Sequence, residues 1–409
     1  MTLLPDAEWR RGRGLNRLVE ALGAKDMLVR FVGGAVRDTL LGLAVKDIDC
    51  ATRLLPEESS RRIIAAGFKA IPTGIAHGTV TALLPSGPVE VTTLRRDVTT
   101  DGRRAVVAFT DEWREDAARR DFTINALSAE PATGEIHDYF GGLADLEQGL
   151  VRFIGDPLER IAEDHLRILR LFRFHERFGR GAPDAAALAA CVARANDLMA
   201  LSRERIADEL LKLLGGRDPA ATVGLMVEHG LFRPILPEVD DDGVARLERL
   251  VRREQACGVP GDPLRRLGAL LPSDGAVQVA IAQRLKLSKA AARRLEAAAS
   301  AAEGAPTALA YRFGAEVARD LLLRGDRPID ALGLEELEGW ERPRLPIGGG
   351  DLIARGLSPG PIVAATLQAI ERRWIAEGFP GADRIEAIAT EELRQAMVAG
   401  GRGRRRPRS

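Results

Sequence analysis

Thiols are scarce in this chain. Cys50, Cys191 and Cys257 are the only cysteines in 409 residues, and none sits in a CxxC pair or beside a histidine, which excludes a disulfide framework and a Cys/His zinc site. The histidines, His77, His137, His165, His175 and His229, show no metal-ligand spacing along the chain, so a histidine-based phosphohydrolase domain is not expected. Net charge is also missing: 59 Lys plus Arg balance 59 Asp plus Glu, and affinity for a polyanion must come from local clustering. Aromatic residues make up 4%, too few for base stacking on several rings to dominate binding. No apolar run approaches the roughly 18 residues of a membrane span, and residues 1 to 13 lack the apolar stretch of an export signal. A reducing, cytoplasmic location is therefore expected.

What remains is a long chain whose character changes part-way. At roughly 150 residues per domain its length implies two to four units. Residues 27 to 32 read as a strand, 35 to 41 as a short helix stopped by Gly42, and 48 to 51 as a second strand. Pro56 opens a helix running to Gly67 as a C-cap, and residues 79 to 84 with 89 to 93 make a strand pair around Pro85-Ser86-Gly87-Pro88. From Pro157 onward, helical periodicity rich in Leu, Ala and Arg takes over, with glycine and proline breaks near residues 179, 215, 258 and 343. Arg402, Arg404, Arg405, Arg406 and Arg408 lie among Gly and Pro and should form a disordered basic tail over 401 to 409.

Two acids carry the most chemical information. Asp47 and Asp49 stand at i and i+2, and in a strand such positions share one face about 7 Å apart. Facing carboxylates repel unless a cation lies between them, and Mg²⁺ favours one or two carboxylates plus phosphate oxygens. Upstream, Gly33-Gly34 lies between a strand and a helix, where the bare backbone lets amides approach a phosphate, and Arg37 follows one turn later to hold a triphosphate oxygen. Glu90, in Val89-Glu90-Val91, is a possible third carboxylate, or else a charge on a strand edge. An isolated Asp-x-Asp or Gly-Gly would read as a solvated turn; their order along the chain gives them weight.

In that order, Gly33-Gly-Ala-Val-Arg-Asp38 followed by Asp47-Ile-Asp49 resembles the opening motif of class II tRNA nucleotidyltransferases, the CCA-adding enzymes, which share their catalytic head with bacterial poly(A) polymerases. Arg119-Arg120-Asp121-Phe-Thr-Ile-Asn-Ala126 resembles the family's ribose- and phosphate-binding segment. Asp138, Gly142 and Arg152 fit its hinge-like linker, Glu163-Asp-His-Leu-Arg167 its nucleotide-selecting motif, and the segment from Ser202 to Leu210 its supporting helix. The resemblance covers residues 31 to 210. It implies an α+β fold: a nucleotidyltransferase head with a small mixed β-sheet (1 to 140), then an all-helical neck (141 to 215), body (216 to 300) and tRNA-binding tail (301 to 400). It further implies Mg²⁺ as cofactor, CTP and ATP as substrates, the tRNA acceptor arm as partner, and nucleotide contacts from Arg119, Arg120, Asp121, Arg170 and Arg173. No membrane or stable protein partner is implied.

The selection motif also has its own physical reading. Asp164, Arg167, Arg170 and Arg173 recur every three residues, and since a helix turns once in about 3.6 residues each step slips by about 60°. Asp164 and Arg167 can then reach one ligand together, whereas Arg173 needs a different partner. Cytosine and adenine each present an exocyclic amine beside a ring-nitrogen acceptor, which suits a carboxylate beside a guanidinium; uracil and guanine invert that order. The alternative for Asp164 and Arg167 is an i,i+3 ion pair on a solvated face. Taken with these residues, the resemblance implies addition of C, C and A to a tRNA 3′ end. A poly(A) polymerase, a partial CC- or A-adding enzyme, and a non-catalytic RNA-binding protein are the rivals; the intact segment from Thr92 to Ala118 favours full addition, and the retained acids disfavour a mere binder.

Overall fold

A computed structural model describes residues 2 to 100 and 105 to 403. The chain divides into two compact units, Met1–Val244 and Ala245–Ser409.

Among its described residues the first unit holds the following strands and α-helices. The strands are β1 (Val29–Val32), β2 (Ile48–Thr52), β3 (Lys69–Gly74), β4 (Thr79–Leu84), β5 (Gly87–Thr93), β6 (Arg95–Thr100), β7 (Ala105–Phe109), β8 (Ser128–Ala129) and β9 (Ile136–His137). The helices are α1 (Leu15–Ala21), α2 (Gly34–Leu40), α3 (Pro56–Ala65), α4 (Trp113–Ala118), α5 (Gly142–Gln148), α6 (Pro157–Glu163), α7 (Arg167–Phe178), α8 (Ala185–Ala193), α9 (Arg203–Leu214) and α10 (Ala220–Glu228). Seven strands form one sheet in the order β3-β4-β5-β2-β1-β8-β9, and β6 with β7 makes a separate ribbon. Only β2 and β5 run parallel, because helix α3 and the β3–β4 hairpin intervene between them; every other pair is antiparallel. The sheet is mixed, as the α+β reading requires.

Central β1 is buried at all four positions, with Val29, Phe31 and Val32 in the core. Its burial does not alternate, Arg30 included, as in a strand covered on both faces. Pro56 starts α3 at its first turn, and Gly67 follows that helix at φ +79°, the left-handed conformation glycine adopts most readily. Asp156, Asp184 and Ser202 each accept an amide hydrogen bond at the start of α6, α8 and α9, which satisfies donors the first helical turn would otherwise leave open.

Strands β3, β6, β7, β8 and β9 were not legible in the sequence pattern. The expected single helix through residues 163 to 173 is broken: α6 ends at Glu163, Asp164 is extended (φ −154°, ψ 106°), and α7 begins at Arg167. Asp47 lies just ahead of β2 rather than within it.

The second unit is helical among its described residues, and part of its buried apolar surface gathers in the following two clusters. One gathers Leu309, Ala318 and Leu323, the other Leu352, Ile370, Trp374 and Ile388. Buried Glu254 accepts from Arg265 and Arg266, and buried Asp320 from Arg265 and Arg294, so the charges are paired where they leave water. The last helix, Ala382–Gly403, takes in Arg402; the rest of the expected basic tail lies outside the described residues. No helix among the described residues is long and apolar enough to cross a membrane.

Candidate active site

The loop from β1 into α2 sets the first wall of the site. Gly33 sits at φ +65°, ψ −123°, and a Cβ there would lie 2.8 Å from Arg120 Nη1. The backbone conformation favours glycine, and a Cβ would have to displace the end of the Arg120 side chain. Behind it, buried Arg37 donates through Nε and Nη2 to Asp38 (2.8 and 2.6 Å), donates to Asn125, and stacks 4.1 Å above Phe178. Burial lowers its pKa, against the pull of Asp38. Arg37 borders the site with three of its five N–H donors bonded to Asp38 and Asn125.

The parallel register of β2 and β5 puts Asp49 opposite Glu90. Asp49 is half-buried, Asp47 and Glu90 exposed. Burial raises the Asp49 carboxyl pKa, and Glu90 and Asp47 raise it further, against Arg120. Among the described residues no Lys or Arg lies within ion-pair distance of Asp47 or Asp49. A set of mutually repelling carboxylates without a basic partner fits a divalent cation. A second acidic group, Glu130, Glu135 and His137, has its ligand atoms within 4.8 Å of one another, brought together by the β8–β9 pairing that sequence spacing did not reveal. Glu130 already accepts from Thr133, hydrogen-bonds His137, and faces Arg30 at 3.7 Å.

Asp121 ties the sheet side of the site to α7. One of its oxygens accepts from Phe122 N and Asn125 Nδ2 (2.8 and 2.9 Å), the other from Arg170 Nε and Nη2 (2.8 and 2.5 Å). Burial works to raise its pKa, but Arg170 and these hydrogen bonds outweigh it and hold the carboxyl below its ordinary value. Arg173 Nε donates to Glu209 at 2.6 Å, the separate partner its place on the helix demands. Arg167 donates to Glu163 and to Arg160 O (2.8 Å), not to Asp164. Asp164 instead accepts from Leu166 N at 3.1 Å and from Arg205 Nη2 at 2.7 Å. The i,i+3 ion pair does not form.

These walls enclose a cavity of about 640 Å³ lined by Gly33, Gly34, Asp47, Asp49, Arg120 and Asp121 on the sheet side. Asp164, Arg167, Arg170, Arg173 and Arg205 line the helical side, and Arg37, Asn125, Leu166 and Phe174 complete it. Glu90 stands beside Asp49 without lining the cavity, and Arg119 turns away to Asp116 at 2.8 Å. Asn125, Leu166, Phe174 and Arg205 were not singled out from sequence. Asn125, Leu166 and Arg205 lie inside quoted motifs, which was the available signal.

Residues 29–152 match the family model described as the poly A polymerase head domain, and residues 183–242 that described as a probable RNA and SrmB-binding site of polymerase A. The mitochondrial CCA tRNA nucleotidyltransferase 1 of Mus musculus is 34% identical over 387 residues, covering 90% of this chain and 87% of that protein. This chain belongs to the family of CCA-adding tRNA nucleotidyltransferases. The CCA-adding enzyme of Levilactobacillus brevis is 34% identical over 92% of this chain and 96% of its own length. Among solved structures, the Bacillus stearothermophilus CCA-adding enzyme in complex with CTP aligns with TM-score 0.71 at 29% identity, over 94% of this chain and 99% of that one. The Thermotoga maritima CCA-adding enzyme complexed with tRNA shares the fold, at TM-score 0.69 and 21% identity over 98% and 100% of the two chains.

Proposed function

We propose that this chain adds C, C and A to the 3′ end of tRNA, using CTP and ATP, releasing pyrophosphate and needing no nucleic-acid template. One observation carries the reading: a single cavity is lined by Asp47 and Asp49, which have no Lys or Arg within ion-pair distance among the described residues, and by the carboxylate of Asp164 and the guanidinium of Arg167.

Asp47 and Asp49, with Glu90 beside them, would hold Mg²⁺. Bound there, a divalent cation supplies activation of the primer 3′-hydroxyl and neutralises charge on the departing pyrophosphate. The open backbone at Gly33 and Gly34, together with Arg120, receives the triphosphate. Arg37, Arg119 and Asp121 act one step back: Arg37 and Asp121 both bond Asn125, and Arg119 shares Asp116 with Arg120. Arg170 and Arg173 border the nucleotide while held by Asp121 and Glu209. Asp164 accepts from the exocyclic amine of cytosine or adenine and Arg167 donates to the adjacent ring nitrogen, so that uracil and guanine meet carbonyl against carboxylate. Two buried thiols, Cys50 and Cys191, accord with a reducing compartment, and we assign the reaction to the cytoplasm.

The test supplies tRNA lacking one, two or three terminal nucleotides with each labelled triphosphate and Mg²⁺. Incorporation of CTP only onto the two shorter forms, and of ATP only after the second C, supports the proposal. Open-ended ATP tracts would indicate a poly(A) polymerase, a stop after CC or addition of A alone a partial enzyme, and no incorporation a binding protein.

A further inference from the structure

The second unit holds a cavity of about 660 Å³ of its own, a volume that suits a small ligand. Buried Leu250, Leu321 and Leu322 give it an apolar wall, and half-buried Arg246, Arg324 and Arg327 line it as well. Arg246 donates to Ala269 O and Leu271 O (3.0 and 3.1 Å), Arg324 to Ala298 O and Gly268 O (2.9 and 2.8 Å), and Arg327 to Gly304 O (2.8 Å). Ala298 ends the helix Lys289–Ala298, and Ala269 lies in the last turn of Pro263–Leu270, so part of this bonding satisfies carbonyls that a helix end leaves open. It occupies two, two and one of the five N–H donors each guanidinium carries.

Carbonyls are not counter-ions. Elsewhere in this unit guanidinium groups withdrawn from water face carboxylates: Arg265 meets Glu254 and Asp320, and Arg294 meets Asp320. Among the described residues no Asp or Glu comes within ion-pair distance of Arg246, Arg324 or Arg327. Burial pushes the Arg324 pKa down to about 10, and Arg246 adds to the fall against the pull of Asp320; the group remains charged at neutral pH. Buried Arg253 donates to the carbonyls of Leu322 and Arg327, and its Nε has no partner. The acids that line the cavity, Glu303 and Asp326, are both exposed, and Asp326 stands 4.0 Å from exposed Arg249. Cations drawn from water without an anion cost free energy that an anionic ligand would offset.

We propose that this cavity binds a small ligand whose phosphate group is carried on an apolar body. The phosphate takes the unused donors of Arg246, Arg324 and Arg327, whose planar forks match its oxygens, and the apolar part lies against Leu250, Leu321 and Leu322.

Isothermal titration calorimetry on the full chain, without Mg²⁺ or tRNA, compares naphthyl phosphate with inorganic phosphate. The proteins are wild type, Arg246→Gln, Arg327→Gln and Arg120→Gln, the last marking any binding in the head. Naphthyl phosphate should bind more tightly than inorganic phosphate. Arg246→Gln and Arg327→Gln should each weaken it roughly tenfold or more, and Arg120→Gln should leave it unchanged. Should Arg246→Gln unfold, Arg327→Gln, which gives up a single bond, carries the comparison. Absence of saturable binding at millimolar concentration, equal affinity for the two phosphates, or binding lost in Arg120→Gln alone would overturn the proposal. So would weaker tRNA retention on filters by Arg246→Gln and Arg327→Gln with no response to naphthyl phosphate, since that pattern marks a contact for RNA backbone phosphate.

Discussion

Asp49 and Glu90 are direct register partners in the parallel pair of β2 and β5. Residues 41 apart in sequence thereby become neighbours at one end of the sheet, and the charge of Glu90 helps raise the Asp49 pKa. If Glu90 supports a cation held mainly by Asp47 and Asp49, Glu90→Gln should reduce activity about 10- to 100-fold, the range for groups that orient metal ligands. Asp47→Ala and Asp49→Ala should abolish incorporation while leaving tRNA affinity largely intact. Incorporation rates beside filter-binding curves check both; equal loss of tRNA binding would contradict these roles.

Loss of the base-reading acid should look different. Asp164→Ala is expected to relax selection among the four triphosphates by roughly tenfold or more, with a smaller effect on the Mg²⁺ concentration needed for half-maximal rate. Competition with mixed nucleotides measures the first and a Mg²⁺ titration the second. Undiminished selectivity would remove Asp164 from base recognition.

The buried contact between Asp121 and Arg170 predicts a pH-dependent contribution to stability. Asp121 is 8% exposed and its folded pKa is depressed. Its contribution is therefore complete above the unfolded value of about 3.9 and is lost as pH falls through the lower folded value. Asp121→Asn should cost about 1–3 kcal/mol near neutrality, since it strips the half-buried Arg170 guanidinium of its main counter-charge. The gap from wild type should narrow below about pH 4. Urea unfolding at pH 7 and pH 3 measures this; a gap independent of pH would show that charge is not its source.

Gly33 offers a steric test. Alanine at φ +65° with Arg120 Nη1 only 2.8 Å from the new carbon should strain the backbone by about 1–3 kcal/mol and displace Arg120. The expected result is a raised KM for CTP and ATP alike, with unchanged selectivity between them. Steady-state kinetics with each nucleotide would expose any base-specific effect, which would count against a role at the triphosphate.

Much of the head was legible because its signals are local. The apolar run at β1, the glycines after it and Pro56 act over a few residues and fixed β1, α2, β2 and α3 to within about two positions. Strand β3 escaped notice because half of its residues are exposed and none is buried, and β8 and β9 because two residues each carry no periodicity. The break at Asp164 was masked by three-residue spacing that continues across it without proline or glycine. A local bond from Leu166 N and a distant one from Arg205 hold the acid that the spacing assigned to Arg167. Glu130 and His137 likewise meet only through antiparallel pairing. Motif order exposed the site; long-range partners decided which side chains in it remain available to a ligand.

The most direct measurement of the central claim is 3′-end sequencing of tRNA that enters the reaction without its terminal CCA and leaves it after incubation with this chain, CTP, ATP and Mg²⁺. The account predicts molecules ending in CCA and no longer. Runs of A of variable length, or unaltered ends, would contradict it.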